Sequence, residues 1–168
     1  ANHWLECARN LRHESIATVY LQQSTDLPSS NGKTFPRAML MLKNSAQAPA
    51  QFAFDRGQLG AQQGLLAFVV SACDQNKEAI EATTRNQAQH LLQTLHIQPK
   101  LCTIGTIIEK RATFACTAGL IRPPSQPIPS LATLQVCGDY IEGVYPGTLE
   151  GAVISGQQAA ISALSTLV

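Results

Sequence analysis

The sequence predicts an α+β fold: a mixed, mostly antiparallel sheet with one long helix, followed by a separate C-terminal strand and helix. Five short runs with strand patterns lie before residue 115, and one long stretch with helical spacing lies among them. A proline-rich segment then precedes the final strand and helix. With 168 residues, of which 45% are hydrophobic, the chain is long enough to bury a core in one domain or slightly more.

The strand predictions depend on alternating or continuous apolar residues. The five runs are Ser15 to Gln22, Ala38 to Leu42, Gln51 to Asp55, Gly64 to Ala72 and Thr103 to Phe114. The run from Gly64 is almost entirely apolar, which predicts the centre of the sheet. The last run carries Glu109, Lys110 and Arg111, and three charges inside a strand indicate a solvated face. The polar stretch from Leu27 to Lys33 has proline and glycine at turn positions and predicts a loop.

The helix predictions come from spacings of three and four residues. The first helix has Asp74 as its candidate N-cap and ends before Pro99; the positions that recur along one face are Ile80, Thr84, Ala88, Leu91 and Leu95. Four of the nine prolines fall between Gly119 and Pro129, which predicts a boundary between residues 1–126 and 127–168. A short strand from Thr133 to Cys137 and a helix from about Thr148 follow this boundary.

Composition excludes several classes of partner and site. The net charge of +1, with 14% charged residues, gives no field that would attract nucleic acid. The five cysteines are scattered and the four histidines do not complete a zinc spacing, so we expect reduced, buried thiols and no metal. No signal peptide or membrane-spanning run is evident, which favours a cytoplasmic protein. The start at Ala1, without methionine, favours a fragment or a processed product.

The segment from Val136 to Ala160 carries the most specific pattern in the chain. An apolar strand that ends in Gly138-Asp139 places a carboxylate at the carboxyl end of the strand, where α/β sheets bind ligands. Thr148 is a good N-cap, and the start of its helix offers unpaired N–H groups and a positive dipole end. Gly151 and Gly156 give this helix a face of small residues that permits close approach to a sheet or to a ring system. Gly-Asp alone is more often an ordinary turn.

The whole string from Gly138 to Ala160 resembles the C-terminal FAD-binding signature of the amine oxidase and phytoene desaturase superfamily. By this resemblance Asp139 binds the FAD ribitol, and the backbone at Thr148 and Leu149 faces the isoalloxazine ring. The same motif places four more residues in the cofactor-binding segment: Gly138, Tyr145, Pro146 and Gly151. Residues 127–168 are then the C-terminal part of a Rossmann-like FAD-binding domain, and residues 1–126 belong to a substrate-binding domain.

Three upstream strings narrow the resemblance to bacterial hydroxysqualene dehydroxylases: Leu11 to Leu21, Phe54 to Leu59 and Glu109 to Phe114. The similarity covers nearly the whole chain. It implies an oxidoreductase that moves a hydride between FAD and a polyisoprenoid, and within this family removes the hydroxyl of hydroxysqualene to give squalene. It also implies peripheral contact of the parent enzyme with a membrane. Cys137 and Gly147 depart from the family pattern, which commonly has alanine at both positions.

The opening motif of the family, Gly-x-Gly-x-x-Gly between a strand and a helix, does not occur in the 168 residues. We therefore expect FAD to be held by the full-length parent and not by this chain alone, which we expect to be inactive. The apolar face of the last helix and the unpaired strand before it favour self-association of the chain or repacking onto the first domain.

Other residues carry weaker hypotheses. Arg111 is a candidate for a substrate channel or a contact with the flavin, and a solvated strand charge explains it as well. The pair His13 and Glu14 favours a structural role over acid/base chemistry, since adjacent strand residues point to opposite faces. Asp55-Arg56 is most simply a turn with a local ion pair. Two alternatives to the isoprenoid enzyme stay open: an amine oxidase of the same fold, which 5% aromatic residues disfavour, and a non-catalytic module.

Overall fold

A computed structural model of the protein describes residues 2–23, 33–98 and 100–166. Most of the loop predicted from Leu27 to Lys33 lies outside the described residues, as does Pro99. Contacts divide the chain into two compact units, one of residues 14–112 and the other of residues 1–13 together with 113–168. The domain division at residues 126 and 127 stays a prediction.

The described residues form three helices, five strands and a 3₁₀ turn. In chain order these are α1 (Asn2–Arg9), β1 (His13–Gln23), β2 (Met39–Met41), β3 (Phe52–Asp55), the 3₁₀ turn (Arg56–Leu59), β4 (Leu65–Ser71), α2 (Lys77–Thr94), β5 (Leu101–Phe114) and α3 (Leu149–Ser165). The strand order is β2-β3-β4-β1-β5, with β1 and β3 both antiparallel to β4. The predicted α+β class is confirmed, and β4 lies in the centre of the sheet as its apolar run predicts.

The core of the sheet unit lies between the strands and α2. Along β1 every second residue is fully buried, namely Ala17, Val19 and Leu21, which is the period expected of a strand with one packed face. Helix α2 contributes its own buried stripe at spacings of four: Ile80, Thr84, Ala88 and Leu92. Each large apolar side chain buried here stabilises the fold by about 1.5–3 kcal/mol.

Helix α2 begins later than predicted. Asn76, and not Asp74, is the N-cap, and its side chain accepts a hydrogen bond of 2.8 Å from the backbone N–H of Ala79. Between β4 and this cap the chain turns through Ala72, which has a left-handed φ of 51°. Both residues suit a cap chemically. The turn after β4, which sequence patterns do not reveal, decides which of them starts the helix.

Two further predictions differ from the structure in the C-terminal segment and at the chain start. Residues Thr133 to Cys137, all of them described, form no strand. The N–H of Leu134 donates within a turn to Leu131 and that of Val136 donates to Ser125, whereas a strand needs a ladder of such bonds. Helix α1 was not predicted, since eight residues carry little periodic signal. Trp4 of α1 donates its indole N–H to the carbonyl of Pro124 at 2.7 Å.

The cysteines are free thiols, but they are not uniformly buried. Cys7 is buried and Cys73 is half-buried, whereas Cys102, Cys116 and Cys137 are exposed. Cys102 lies on β5, at the edge of the sheet, and the other two exposed thiols lie in loops. The expectation of buried thiols is therefore wrong for three of the five.

In the described part of the chain no helix is both long and apolar enough to span a membrane.

Asp55 is a buried structural acceptor and not a turn residue paired with Arg56. Its side chain is fully buried, and Oδ2 accepts hydrogen bonds from the backbone N–H groups of Thr34 (2.7 Å) and Phe35 (3.1 Å). The amide of Gln58 donates a third bond at 2.8 Å. Asp55 therefore attaches the segment that begins at Thr34 to the end of β3.

We expect Asp55→Ala to lower the free energy of unfolding by about 3 kcal/mol, because two buried backbone donors and the half-buried Gln58 amide lose their acceptor. Asp55→Asn should cost less, since one carbonyl oxygen remains. Urea unfolding followed by circular dichroism measures both variants against Asp74→Ala, which changes an exposed carboxylate and should stay within about 0.5 kcal/mol of the wild type. An Asp55→Ala variant as stable as Asp74→Ala would contradict this role.

Candidate functional site

The Gly138-Asp139 turn is attached by one hydrogen bond to helix α3 and by another to the loop that precedes this helix. The N–H of Gly138 donates to Ser155 Oγ at 3.1 Å, and the carbonyl of Asp139 accepts from the N–H of Gly147 at 3.1 Å. Gly138 has a φ of 152°, and a Cβ there would lie 2.6 Å from the ring of Tyr140. Only glycine fits this position, so the half-buried Asp139 is held in a defined turn beside α3.

The start of α3 is capped as predicted. Thr148 Oγ1 accepts from the N–H of Gly151 at 3.0 Å and donates to the carbonyl of Tyr145 at 2.7 Å. Helix geometry leaves the N–H groups of Leu149 and Glu150 without an acceptor inside the helix. The side chain of Leu149 is 89% exposed, and that of Glu150 is exposed as well, so the outer side of this positive helix end faces solvent.

Glu150 limits what the helix start can bind. Its exposed carboxylate lies in the first turn of α3, close to the free N–H groups. A negative charge there already interacts with the helix dipole and repels a second anion. The start of α3 therefore suits a neutral carbonyl acceptor better than a phosphate group.

Gly151 is required by the chain itself. A Cβ at this position would lie 3.1 Å from the carbonyl oxygen of Val144 and even closer to the carbonyl oxygen of Tyr145. The space that was expected to admit a ring system is thus filled by the preceding loop. Glycine is needed at position 151 because of the chain's own loop and not because of a ligand. The assignment of Gly151 to cofactor binding stays a prediction.

The turn before α3 is left-handed at two positions. Tyr145 has a φ of 52°, which is costly for a residue with a bulky side chain, and Gly147 has a φ of 68°. Pro146 lies between them. A Cβ at Gly147 would lie 3.0 Å from Thr113 Oγ1, so glycine is favoured over the alanine usual in the family that this segment resembles. The turn directs the carbonyl of Tyr145 toward the start of α3.

Two residues that the sequence patterns did not single out shape the site. Arg122 donates to the carbonyls of Ile141, at 2.7 Å, and Gly143, and so holds the loop that follows Asp139. Burial raises the pKa of the Tyr140 phenol, and the neighbouring Cys137 and Asp139 raise it further. Arg122 could have been noticed in the sequence because it is a charged residue between apolar residues and prolines. No nearby residue pattern indicates a role for Tyr140.

Seven of the eight predicted site residues therefore lie in one hydrogen-bonded loop and helix start: Gly138, Asp139, Tyr145, Pro146, Thr148, Leu149 and Gly151. Arg111 lies in the sheet unit, on an exposed part of β5. Its backbone N–H donates to Glu109 Oε1 at 3.2 Å, and its proposed contact with substrate stays a prediction.

Among the described residues no group of three or more His, Cys, Asp and Glu side chains is placed to hold a metal ion.

Comparisons with known proteins find a similar fold and no similar sequence. No protein-family profile matches the chain, and no curated protein sequence matches it. The structure is similar to the crystal structure of a "putative protoporphyrinogen oxidase" from Exiguobacterium sp. 255-15, with a TM-score of 0.55 and 14% sequence identity. The match covers 94% of this chain and 36% of that chain, so this protein spans about a third of the length of the protein it matches. At this identity the likeness establishes the fold alone.

We expect Gly151→Ala to lower the free energy of unfolding by about 1–3 kcal/mol, because the added Cβ meets backbone carbonyls that cannot move independently. Gly156→Ala is the matched control on the same helix, since a Cβ there meets nothing within 4 Å. That variant should be more stable than the wild type by about 0.5–1 kcal/mol, the difference in helix propensity. Equal effects of the two substitutions in urea unfolding would contradict the close approach at Gly151.

Tyr140 should ionise at unusually high pH. In a spectrophotometric titration of tyrosinate, Tyr140→Phe should remove a component that develops above the ordinary pKa of tyrosine, and Tyr145→Phe should leave that component in place. The folded state holds this proton more tightly than the unfolded state does. The protonated Tyr140 phenol therefore contributes to the free energy of unfolding below about pH 10, and this contribution is lost as the pH rises through the raised pKa. Identical titrations of wild type and Tyr140→Phe above that pH would show that the phenol is not shielded.

Proposed function

We propose that this chain is the C-terminal portion of an FAD-dependent oxidoreductase, in which the Asp139 turn and the start of α3 receive the flavin end of the cofactor. The observation that carries the proposal is the hydrogen-bonded connection between the two. Gly138 is bonded to Ser155 of α3, and the carbonyl of Asp139 is bonded to Gly147, next to the cap residue Thr148. A carboxylate and the start of a helix thus belong to one hydrogen-bonded unit.

The residues of this unit fit the flavin half of FAD. The Asp139 carboxylate would accept hydrogen bonds from ribitol hydroxyls, an interaction between charged and neutral groups that contributes about 1.5–3 kcal/mol. The N–H groups of Leu149 and Glu150 would donate to a carbonyl of the isoalloxazine ring, and the Glu150 carboxylate favours this neutral group over a phosphate. Bound FAD supplies the acceptor or donor of the hydride, while the protein binds and orients it.

The pyrophosphate and adenosine of FAD need contacts from outside the Asp139 unit. The chain has no Gly-x-Gly-x-x-Gly string, and it covers 36% of the length of the matched crystal structure. We propose that the remaining contacts come from another part of a longer parent protein. The chain alone would then bind FAD weakly and be inactive, because one carboxylate and one helix end must offset the cost of immobilising a long dinucleotide.

For the substrate we propose a polyisoprenoid such as hydroxysqualene, on the basis of the three upstream strings that resemble hydroxysqualene dehydroxylases. A second candidate follows from the fold comparison, because the matched crystal structure is named for oxidation of protoporphyrinogen, a tetrapyrrole. Assays of the full-length parent with hydroxysqualene, with protoporphyrinogen and with simple amines distinguish the three classes. Turnover of amines alone would favour the amine oxidase alternative, and turnover of none would favour a non-catalytic module.

Asp139→Ala in the full-length parent should weaken FAD binding by about 1.5–3 kcal/mol, roughly tenfold to 150-fold in Kd. Glu142→Ala is the matched control, because Glu142 is an exposed carboxylate three residues farther along the same loop. Titration of the apoprotein with FAD, followed by quenching of flavin fluorescence, measures both constants. Equal Kd values for Asp139→Ala and Glu142→Ala would rule out the proposed role of Asp139.

A further inference from the structure

Hydrogen bonds from one short segment hold the chain on both sides of Asp139. Before Asp139, the N–H of Val136 donates to the carbonyl of Ser125 at 2.7 Å. After it, the N–H of Glu142 donates to the carbonyl of Pro123 at 2.9 Å. The backbone on either side of the Asp139 carboxylate is therefore attached to the same four residues, 122–125.

This segment, residues 122–125, contains two successive prolines. Arg122 and Pro123 each precede a proline, and a residue in that position favours extended backbone. Successive carbonyls of an extended chain point to opposite sides. The partners follow this alternation, because the carbonyl of Pro124 accepts from the indole N–H of Trp4, in α1, and not from the loop of Asp139. The side chain of Pro123 is fully buried, so packing anchors the segment as well.

Arg122 adds an attachment at the turn itself. The N–H of Ile141 closes this turn by donating to the carbonyl of Gly138 at 3.3 Å, and the side chain of Ile141 is buried. Arg122 donates to the carbonyl of Ile141 at 2.7 Å and to that of Gly143. A guanidinium is a rigid fork of donors, so it fixes the spacing of the two carbonyls. Its bonds go to the backbone and do not occupy the Asp139 carboxylate.

We propose that Arg122 is a positioning residue for the flavin site. Through the carbonyls of Ile141 and Gly143 it holds the Asp139 carboxylate at the place where the ribitol of FAD would bind. The role assigned to Arg122 rests on the proposed function, in which Asp139 accepts hydrogen bonds from the ribitol. Because Arg122 acts through Asp139, its contribution to FAD affinity cannot exceed that of Asp139.

A double-mutant cycle in the full-length parent tests this role. Titration of each apoprotein with FAD, followed by quenching of flavin fluorescence, gives the dissociation constants. Arg122→Ala should raise Kd about tenfold, the lower end of the effect expected for Asp139→Ala. In the Asp139→Ala background the same change should alter Kd by less than about twofold, because the carboxylate that Arg122 positions is absent. Arg9→Ala, which changes an exposed arginine of α1, should leave Kd unchanged.

Two further measurements separate positioning from a general loss of stability. Arg122→Lys keeps the charge without the fork, so its Kd should lie between those of the wild type and Arg122→Ala. Hydrogen exchange of the chain, followed by NMR, examines the backbone without any ligand. In Arg122→Ala the amides of Ile141 and Glu142 should lose protection, while amides inside α3 keep theirs. Loss of protection at both places would show that Arg122 stabilises the whole unit, and would overturn the positioning role.

The outcomes of the cycle distinguish the role of Arg122 from the flavin site itself. If Asp139→Ala binds FAD as tightly as the wild type does, the flavin site is wrong and the role of Arg122 is wrong with it. If Asp139→Ala weakens FAD binding and Arg122→Ala does not, the positioning role alone is overturned. Additive effects in the double variant overturn it as well, because they show that Arg122 acts independently of Asp139.

Discussion

The close approach of the Tyr145 carbonyl to Gly151 determines the geometry of the candidate site. A side chain at Gly151 would collide with that carbonyl, and the carbonyl reaches this position because Tyr145 is left-handed. Thr148 then uses one hydroxyl for two bonds, donating to Tyr145 and accepting from Gly151. The turn, the cap and the first helical residues thus form one unit, and Asp139 is joined to it through Gly147.

Local chemistry allowed part of this architecture to be predicted. The alternation along β1, the apolar run of β4 and the cap at Thr148 each depend on residues close together in sequence, and all three predictions are confirmed. The cap of α2 was misplaced by two residues because Asp74 and Asn76 are chemically equivalent candidates. Which of the two residues caps the helix depends on the path of the chain after β4, and this path is determined by tertiary structure.

The features that could not be predicted involve partners far apart in sequence. Asp55 accepts from the backbone of Thr34 and Phe35, about twenty residues earlier, and no motif connects those positions. Arg122 likewise donates to the carbonyl of Ile141, nineteen residues later. It lies in the segment whose prolines predict a linker, so no sequence pattern indicates this contact. The strand predicted from Thr133 is wrong for the complementary reason, since its apolar residues have no strand beside them among the described residues with which to form a ladder.

We propose that the Asp139 turn and the start of α3 form one preformed site for the flavin half of FAD. Riboflavin carries the ring and the ribitol without the pyrophosphate, so it tests this half alone, even if its affinity for the chain is low. In ¹H–¹⁵N NMR spectra of the chain titrated with riboflavin, we expect shifts confined to the amides near Asp139 and those of Leu149 and Glu150, and we expect these shifts to be lost in Asp139→Ala. If these amides do not respond, or respond equally in Asp139→Ala, the proposed flavin site is contradicted.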